Sequence, residues 1–228
     1  MSWRKVSKMI KLKKLEEPKI LKENAKKWTT EYLECIGMGK AIPAKLKMKY
    51  SQRDIKAQLL KETNEKCVYC ESKFTHICPG DIEHILPKNK NAHPELYVTW
   101  DNLTMACETC NRSGKRTYNN DDEPLLNPYV DEIECEIFSA GPMIFAVEGS
   151  RKGQISIDVL KLNRGALIER RIEAIKKVDL LRIQYEQEEN EDYKNILLGQ
   201  IDEEVGKNKE YSFTLKNFCS ASGLEMSD

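Results

Sequence analysis

Cys67-Val68-Tyr69-Cys70, then Ile82-Glu83-His84-Ile85, then Trp100-Asp101-Asn102-Leu103, then Cys107-Glu108-Thr109-Cys110-Asn111 succeed one another within the stretch that ends at Lys115. The order of these four strings decides how the chain is read. Two C-x-x-C pairs, with about 36 residues looped out between them, supply four thiolates. Tetrahedral zinc takes two ligands from each turn, so Cys67, Cys70, Cys107 and Cys110 would clamp both ends of the loop at one point. Four thiolates leave no position open for water, which makes that zinc structural. His76 and Cys78 offer a rival set with Cys67 and Cys70, but that choice strands Cys107 and Cys110. Cys35, Cys135 and Cys219 are isolated and read as small buried hydrophobes.

Inside the clamp, Glu83 and His84 are adjacent where the pattern suits a short strand over 81–86. Neighbouring side chains on a strand face opposite ways, so both reach one site only if the chain bends, which Pro87 permits. A histidine with an ordinary pKa near 6.5 can take a proton from water at neutral pH. An acidic residue beside it, and an asparagine directly after the last cysteine, offer the oxygen donors that a hard cation such as magnesium requires. Taken alone, the Glu-His dipeptide would read as a solvated pair.

The chain has 228 residues, enough to bury a core, and its 40% apolar and 32% charged residues are those of an ordinary globular protein. With a formal net charge of zero, any affinity for nucleic acid must come from local patches or a partner. No apolar run approaches a membrane span, and the basic N-terminus lacks the apolar core of a secretory signal. Paired cysteine spacing without an export signal points to metal ligation in a reducing cytoplasm rather than to disulfides.

The first 30 or so residues form a lysine-dense arm, read either as packed on the body by a few apolar side chains or as touching phosphates. Met9-Ile10 offers an alternative start. A short helix is expected over 28–36, and Ser51 with Asp54 forms a capping signature for another over 51–64. A second strand is expected over 103–106 and a short helix from Thr109. Beyond the polar boundary at 119–124, the stretches 133–138, 143–147 and 154–157 read as a small antiparallel sheet. Asn163 is placed to cap a helix over 164–188, and another should follow over 191–205; such a pair either packs on the core or offers a partner surface. His93, before Pro94, reads as a loop residue or a substrate contact.

The ordered set I-E-H-I-L-P-K, W-D-N-L and A-C-E-T-C-N resembles the HNH endonuclease family, whose motif sits on a ββα-metal fold. The resemblance implies that His84 is the general base and that Asn102 holds the loop orienting it. It further implies that Glu83 and Asn111 coordinate a catalytic Mg2+ or Mn2+, beside the structural Zn2+ of the cysteines. Many members have Asp or His at the place of Glu83 and His at that of Asn111. The common spacing also puts a lysine three residues after the last asparagine, whereas Lys115 is four residues on. Arg112, Lys115 and Arg116 are therefore all candidates for contacting phosphate, with the helix bearing Arg164, Arg170 and Arg171 as a further surface for DNA.

A wider likeness covers about 10–177. The strings C-V-Y-C-E, I-E-H-x-x-P-K, H-P-E-L and L-K-L-N-R are similar to those of the HNH subunit of Septu-type anti-phage systems, which also accompanies some retrons. That likeness implies a partner ATPase of the ABC type. The expectation is thus an α+β chain: a basic arm and short helix over 1–50, a ββα-metal (HNH) nuclease core with a four-cysteine zinc knuckle pair over 51–122, and a small antiparallel sheet with a helical region over 123–228. It would be a cytoplasmic endonuclease acting on DNA, without a membrane. A zinc-ribbon module that binds nucleic acid or protein without catalysis is the competing expectation.

Overall fold

A computed structural model describes residues 11–224; Met1–Ile10, with the start of the basic arm and the alternative start at Met9, and residues 225–228 lie outside the described residues. Strands β1 (Asp81–His84) and β2 (Leu103–Ala106) pair antiparallel, with Glu83 opposite Thr104 and His84 opposite Leu103. All four residues of β2 are buried, and Leu103 and Met105 are fully enclosed. A seven-residue helical turn, Thr109–Lys115, follows directly, completing a strand-strand-helix unit.

Helices cover this unit. Helix α1 (Lys19–Gly37) is twice the length expected, because Pro18 opens it and its lysines stay in solvent. Leu21, Trp28 and Tyr32 bury one face of α1. A single turn, α2 (Ala44–Lys47), leads to α3 (Arg53–Glu62), which packs on β2 through Ile55 and Leu59. Gln52 rather than Ser51 precedes α3, and no side chain caps it. Residues 11–18 of the arm pack on the body: Lys14 bonds Glu62 at 3.0 Å, and the Leu15 carbonyl accepts from Trp100 Nε1 at 2.9 Å.

The second half departs from expectation at one element. Strands β3 (Ile137–Ala140) and β4 (Met143–Ala146) form a hairpin, but 154–157 lies inside a helix, α4 (Arg151–Leu160). The Ser150 hydroxyl caps α4 by accepting from Gly153 N, at 2.9 Å. Gly153, Ile155, Ser156, Ile157 and Leu160 are buried, while Arg151, Gln154 and Asp158 form an exposed polar stripe along which Gln154 bonds Asp158 at 3.0 Å. A side chain at Gly153 would collide with the Glu136 carbonyl.

Helix α5 (Gly165–Gln187) starts after Arg164. Asn163, expected to cap it, instead pairs both its amide groups with the backbone of Ile144, at 2.8 and 2.7 Å, tying β4 to the helix entrance. Helix α6 (Glu191–Glu204) has Asn190 as its cap, and α7 (Ser212–Ala221) closes the described chain. One core runs from Leu21 through Tyr97 and Leu103 to Leu160 and Phe213, and a smaller one joins α5, α6 and α7 around Val178, Ile201 and Leu215. Among the described residues no helix is long and apolar enough to cross a membrane.

Candidate active site and metal centre

The four knuckle cysteines meet. The Sγ atoms of Cys67, Cys70, Cys107 and Cys110 all lie within 4.8 Å of one another, and those of Cys70 and Cys107 are 3.9 Å apart. Zinc–sulfur bonds of about 2.3 Å place tetrahedral sulfurs about 3.8 Å apart, so this donor set fits zinc. His76 is exposed and joins no such group among the described residues, which removes the rival set; Cys135 is also exposed, not a buried hydrophobe.

Behind the cysteines stands Arg164. Its guanidinium donates to Cys110 Sγ at 3.6 Å and to Cys70 Sγ at 3.7 Å. A zinc held by four thiolates carries net negative charge, and a cation donating to the sulfurs offsets it. The L-K-L-N-R string thereby acquires a physical meaning: Asn163 fixes β4, and Arg164 supports the thiols. Arg171 lies within the fold too, donating to the carbonyls of Leu162 and Pro142 at 2.8 and 3.1 Å.

His84 is buried at the end of β1. Its Nε2 lies 2.9 Å from the Tyr97 carbonyl oxygen, which can only accept, so Nε2 carries the proton. Nδ1 is then the lone-pair nitrogen, and Lys88 Nζ points at it from 3.2 Å. The Tyr50 ring meets the imidazole edge to face. Burial first, and then the Lys88 charge, push His84 down to about 3, so the ring is neutral. Burial likewise pushes Lys88 down to about 8, with Glu83 opposing the shift.

Asn102 is buried and braces the loop after β1. Its Oδ1 accepts from Leu86 N at 2.8 Å, its Nδ2 donates to Leu86 O at 2.9 Å, and its own carbonyl accepts from Ile85 N at 2.9 Å.

The helical turn faces the other side of β1. Lys115, buried, donates to Glu83 Oε1 and to the His84 carbonyl, and Tyr69 approaches the same Glu83 oxygen at 3.4 Å. Asn111 meets not Glu83 but Asp81, through an Nδ2 to Oδ2 contact of 3.2 Å. Arg112 forks onto both Asp81 oxygens, at 2.9 and 2.8 Å, while Arg116 is exposed with no ion pair among the described residues. Asp81 is the acidic residue that the sequence reading passed over. The signal was present, since residues two apart on a strand share a face and Asp81 stands two before Glu83. His93 is placed away from the imidazole of His84, bonded to Asp121 at 3.0 Å.

The turn also accounts for the lysine spacing. Arg116 N bonds Asn111 O at 2.7 Å, a five-residue step, so this is a π-type helix. Each residue of the wider helix rotates by less, and the fourth residue after Asn111 returns near where the third would stand in an α-helix. Asp81 and Glu83 lie two residues apart on one face of β1, with Asn111 on Asp81. Oxygen donors of this kind suit a hard divalent cation, which would displace Arg112 and Lys115 from the two carboxylates.

Residues 67–116 match the model of the HNH endonuclease family. The Septu protein PtuB of Bacillus thuringiensis is 34% identical over 158 residues, which cover 68% of this chain and 55% of that protein. Septu protein PtuB of Bacillus mycoides (strain KBAB4) is 31% identical over 163 residues, 59% of this chain and 55% of that one. A Vibrio cholerae protein of retron Vc95, whose name gives it as a candidate HNH endonuclease, is 43% identical over 49 residues, 21% of this chain and 23% of its own. The chain spans about half the length of the PtuB proteins it matches. With the family match falling on the strand-strand-helix unit and its cysteine clamp, the chain carries a domain of the HNH endonuclease family.

Proposed function

We propose that the chain is a metal-dependent endonuclease that hydrolyses phosphodiester bonds in DNA, with His84 as its general base. The observation that carries this reading is the Nε2 contact to the Tyr97 carbonyl, which leaves Nδ1 of a neutral, immobilised ring as the atom that takes a proton once Lys88, 3.2 Å from it, swings away. A water molecule there would lose its proton to Nδ1 as its oxygen bonds phosphorus, and the bond from phosphorus to the leaving 3′ oxygen would break. Asn102 keeps the loop after β1, and hence His84, in place through the Leu86 backbone. Glu83 and Asn111 would hold Mg2+ or Mn2+, with Asp81 next to Asn111 as a further donor. The bound cation would supply Lewis-acid stabilisation of charge on the phosphoryl and leaving oxygens. Arg112, Lys115 and Arg116 remain the nearby cations for phosphate, Arg116 being exposed and without an ion pair among the described residues.

The likeness to Septu PtuB proteins supports a place in an anti-phage complex with an ABC-type ATPase, acting in the cytoplasm. His84→Ala protein, with and without such a partner, should keep one zinc per chain and lose about 10²- to 10⁴-fold in DNA cleavage, the range of a positioned general base. Undiminished cutting would remove His84 from the chemistry. No cutting by the unaltered chain, alone or with the ATPase, would favour the zinc-ribbon binding module.

A further inference from the structure

On the far side of the first cysteine knuckle lies a cleft of about 400 Å³, whose walls include none of Glu83, His84, Asn102 or Asn111. Its lining holds Lys11, Lys13, Lys61, Lys66, Lys207 and Lys216, drawn from the arm, the end of α3, the knuckle, the α6–α7 turn and α7. Two carboxylates line it as well, and neither is available to those lysines beyond one bond. Glu62 is taken up by Lys14, the Leu15 amide and Tyr129. Glu71 is held by Lys66 at 2.8 Å and by the Phe213 amide at 2.9 Å.

Lys216 is the telling member. It is 5% exposed, and its side chain forms no hydrogen bond or ion pair among the described residues. Lys13, Lys61 and Lys207 likewise have no ion pair among them. The Lys216 ammonium is open to the cleft rather than sealed off, and gathering charges of the same sign around one opening costs repulsion. The cost is recovered when an anion enters. Six of the sixteen lining residues are lysine, Lys11 being paired with Glu132 at 3.0 Å. Apart from a buried Phe213 there is no aromatic face and no arginine, which suits phosphate groups met as point charges rather than bases read by stacking.

We propose that this cleft is a second anion site, apart from the HNH residues, that takes the phosphates of a nucleic-acid strand. Its phosphate chemistry stands on the lysines alone; the choice of nucleic acid over a small polyphosphate rests on the nuclease reading. Holding a strand here would position it without reading its sequence.

The test uses the full chain with a labelled DNA duplex and no added divalent cation, so that binding is read whether or not the protein cuts. Lys61 and Lys207 are exposed, and the double variant Lys61→Gln/Lys207→Gln avoids the folding risk of changing the buried lysine. At about 0.15 M salt it should bind about tenfold more weakly, and the slope of log affinity against log salt should fall by about 1 to 2. Lys216→Gln, checked for an unchanged melt, should act in the same direction. DNA affinity and slope equal to those of the unaltered chain in the double variant, with tripolyphosphate binding also unchanged, would overturn the site. Inorganic tripolyphosphate is the second probe: if it binds tightly, loses affinity in the double variant, and DNA affinity does not change, the ligand is a small polyphosphate and the nucleic-acid assignment fails. Loss of DNA binding in the double variant, together with no cleavage by the unaltered chain in a parallel assay containing magnesium or manganese and the ATPase, would keep this proposal and sink the nuclease reading instead.

Discussion

The two ends of β1 are held in contrasting ways. At the cysteine clamp, four soft donors converge with no cation of the chain among them closer than the Arg164 guanidinium, 3.6 Å from the nearest sulfur. At Glu83 and His84, the chain's own ammonium groups already stand on the donors: Lys115 on Glu83, and Lys88 at the imidazole. The thiol cluster therefore depends on a metal to offset its charge, whereas the oxygen site is neutralised from within and can persist as a fold without one. One is a scaffold whose ion is part of folding, the other a site whose ion can come and go.

Breaking the clamp should have the largest effect. Cys70→Ser removes one of four thiolates, and structural zinc in small domains contributes about 10 to 16 kcal/mol of apparent binding free energy that is also folding free energy. Metal analysis should find less than one zinc per chain, and the cooperative melt should be lost. One zinc retained with an unchanged melt would show that another ligand set holds it.

A smaller effect is expected on the other side of the comparison. Lys115→Met strips Glu83 of its buried partner, and breaking a buried pair in this way costs about 3 to 5 kcal/mol. Magnesium or manganese should restore part of that loss if Glu83 is a cation ligand, while zinc content stays at one per chain. A melt that falls and is indifferent to both ions would leave Glu83 a structural acid.

How far the sequence could be read follows the same division. The ligand spacings and the period-two pattern placed β1 and β2 almost to the residue, because each strand has one set of side chains committed to a site or a core. Asn111 and Lys115 could be named but not paired, since which carboxylate each meets depends on the π-type turn between them. Gln154–Ile157 imitates an alternating strand because Ser156 is polar yet buried, accepting from Leu126 N at 2.8 Å, so a four-residue window alternates although Arg151, Gln154 and Asp158 mark a helical polar stripe. Helix α7 escaped for a related reason: Ser212, Thr214, Lys216 and Asn217 are polar yet buried, so its enclosed face does not look apolar.

Arg164 supplies the finest test of the contrast. The sequence placed it on an arginine-bearing helix available to DNA, but its guanidinium is spent on Cys70 and Cys110 and on the carbonyls of Leu160 and Lys161. Residues that hold a metal's ligands from behind are worth about 10- to 100-fold in metal affinity. Arg164→Gln keeps the four thiols and the helix start, yet it removes the charge facing the sulfurs. Zinc should be lost to a competing chelator at about 10- to 100-fold lower chelator activity, equivalent to about 1.4 to 2.7 kcal/mol, with DNA affinity unaltered. If zinc affinity holds and DNA binding falls instead, Arg164 belongs to the nucleic-acid surface, and the clamp is supported by its four cysteines alone.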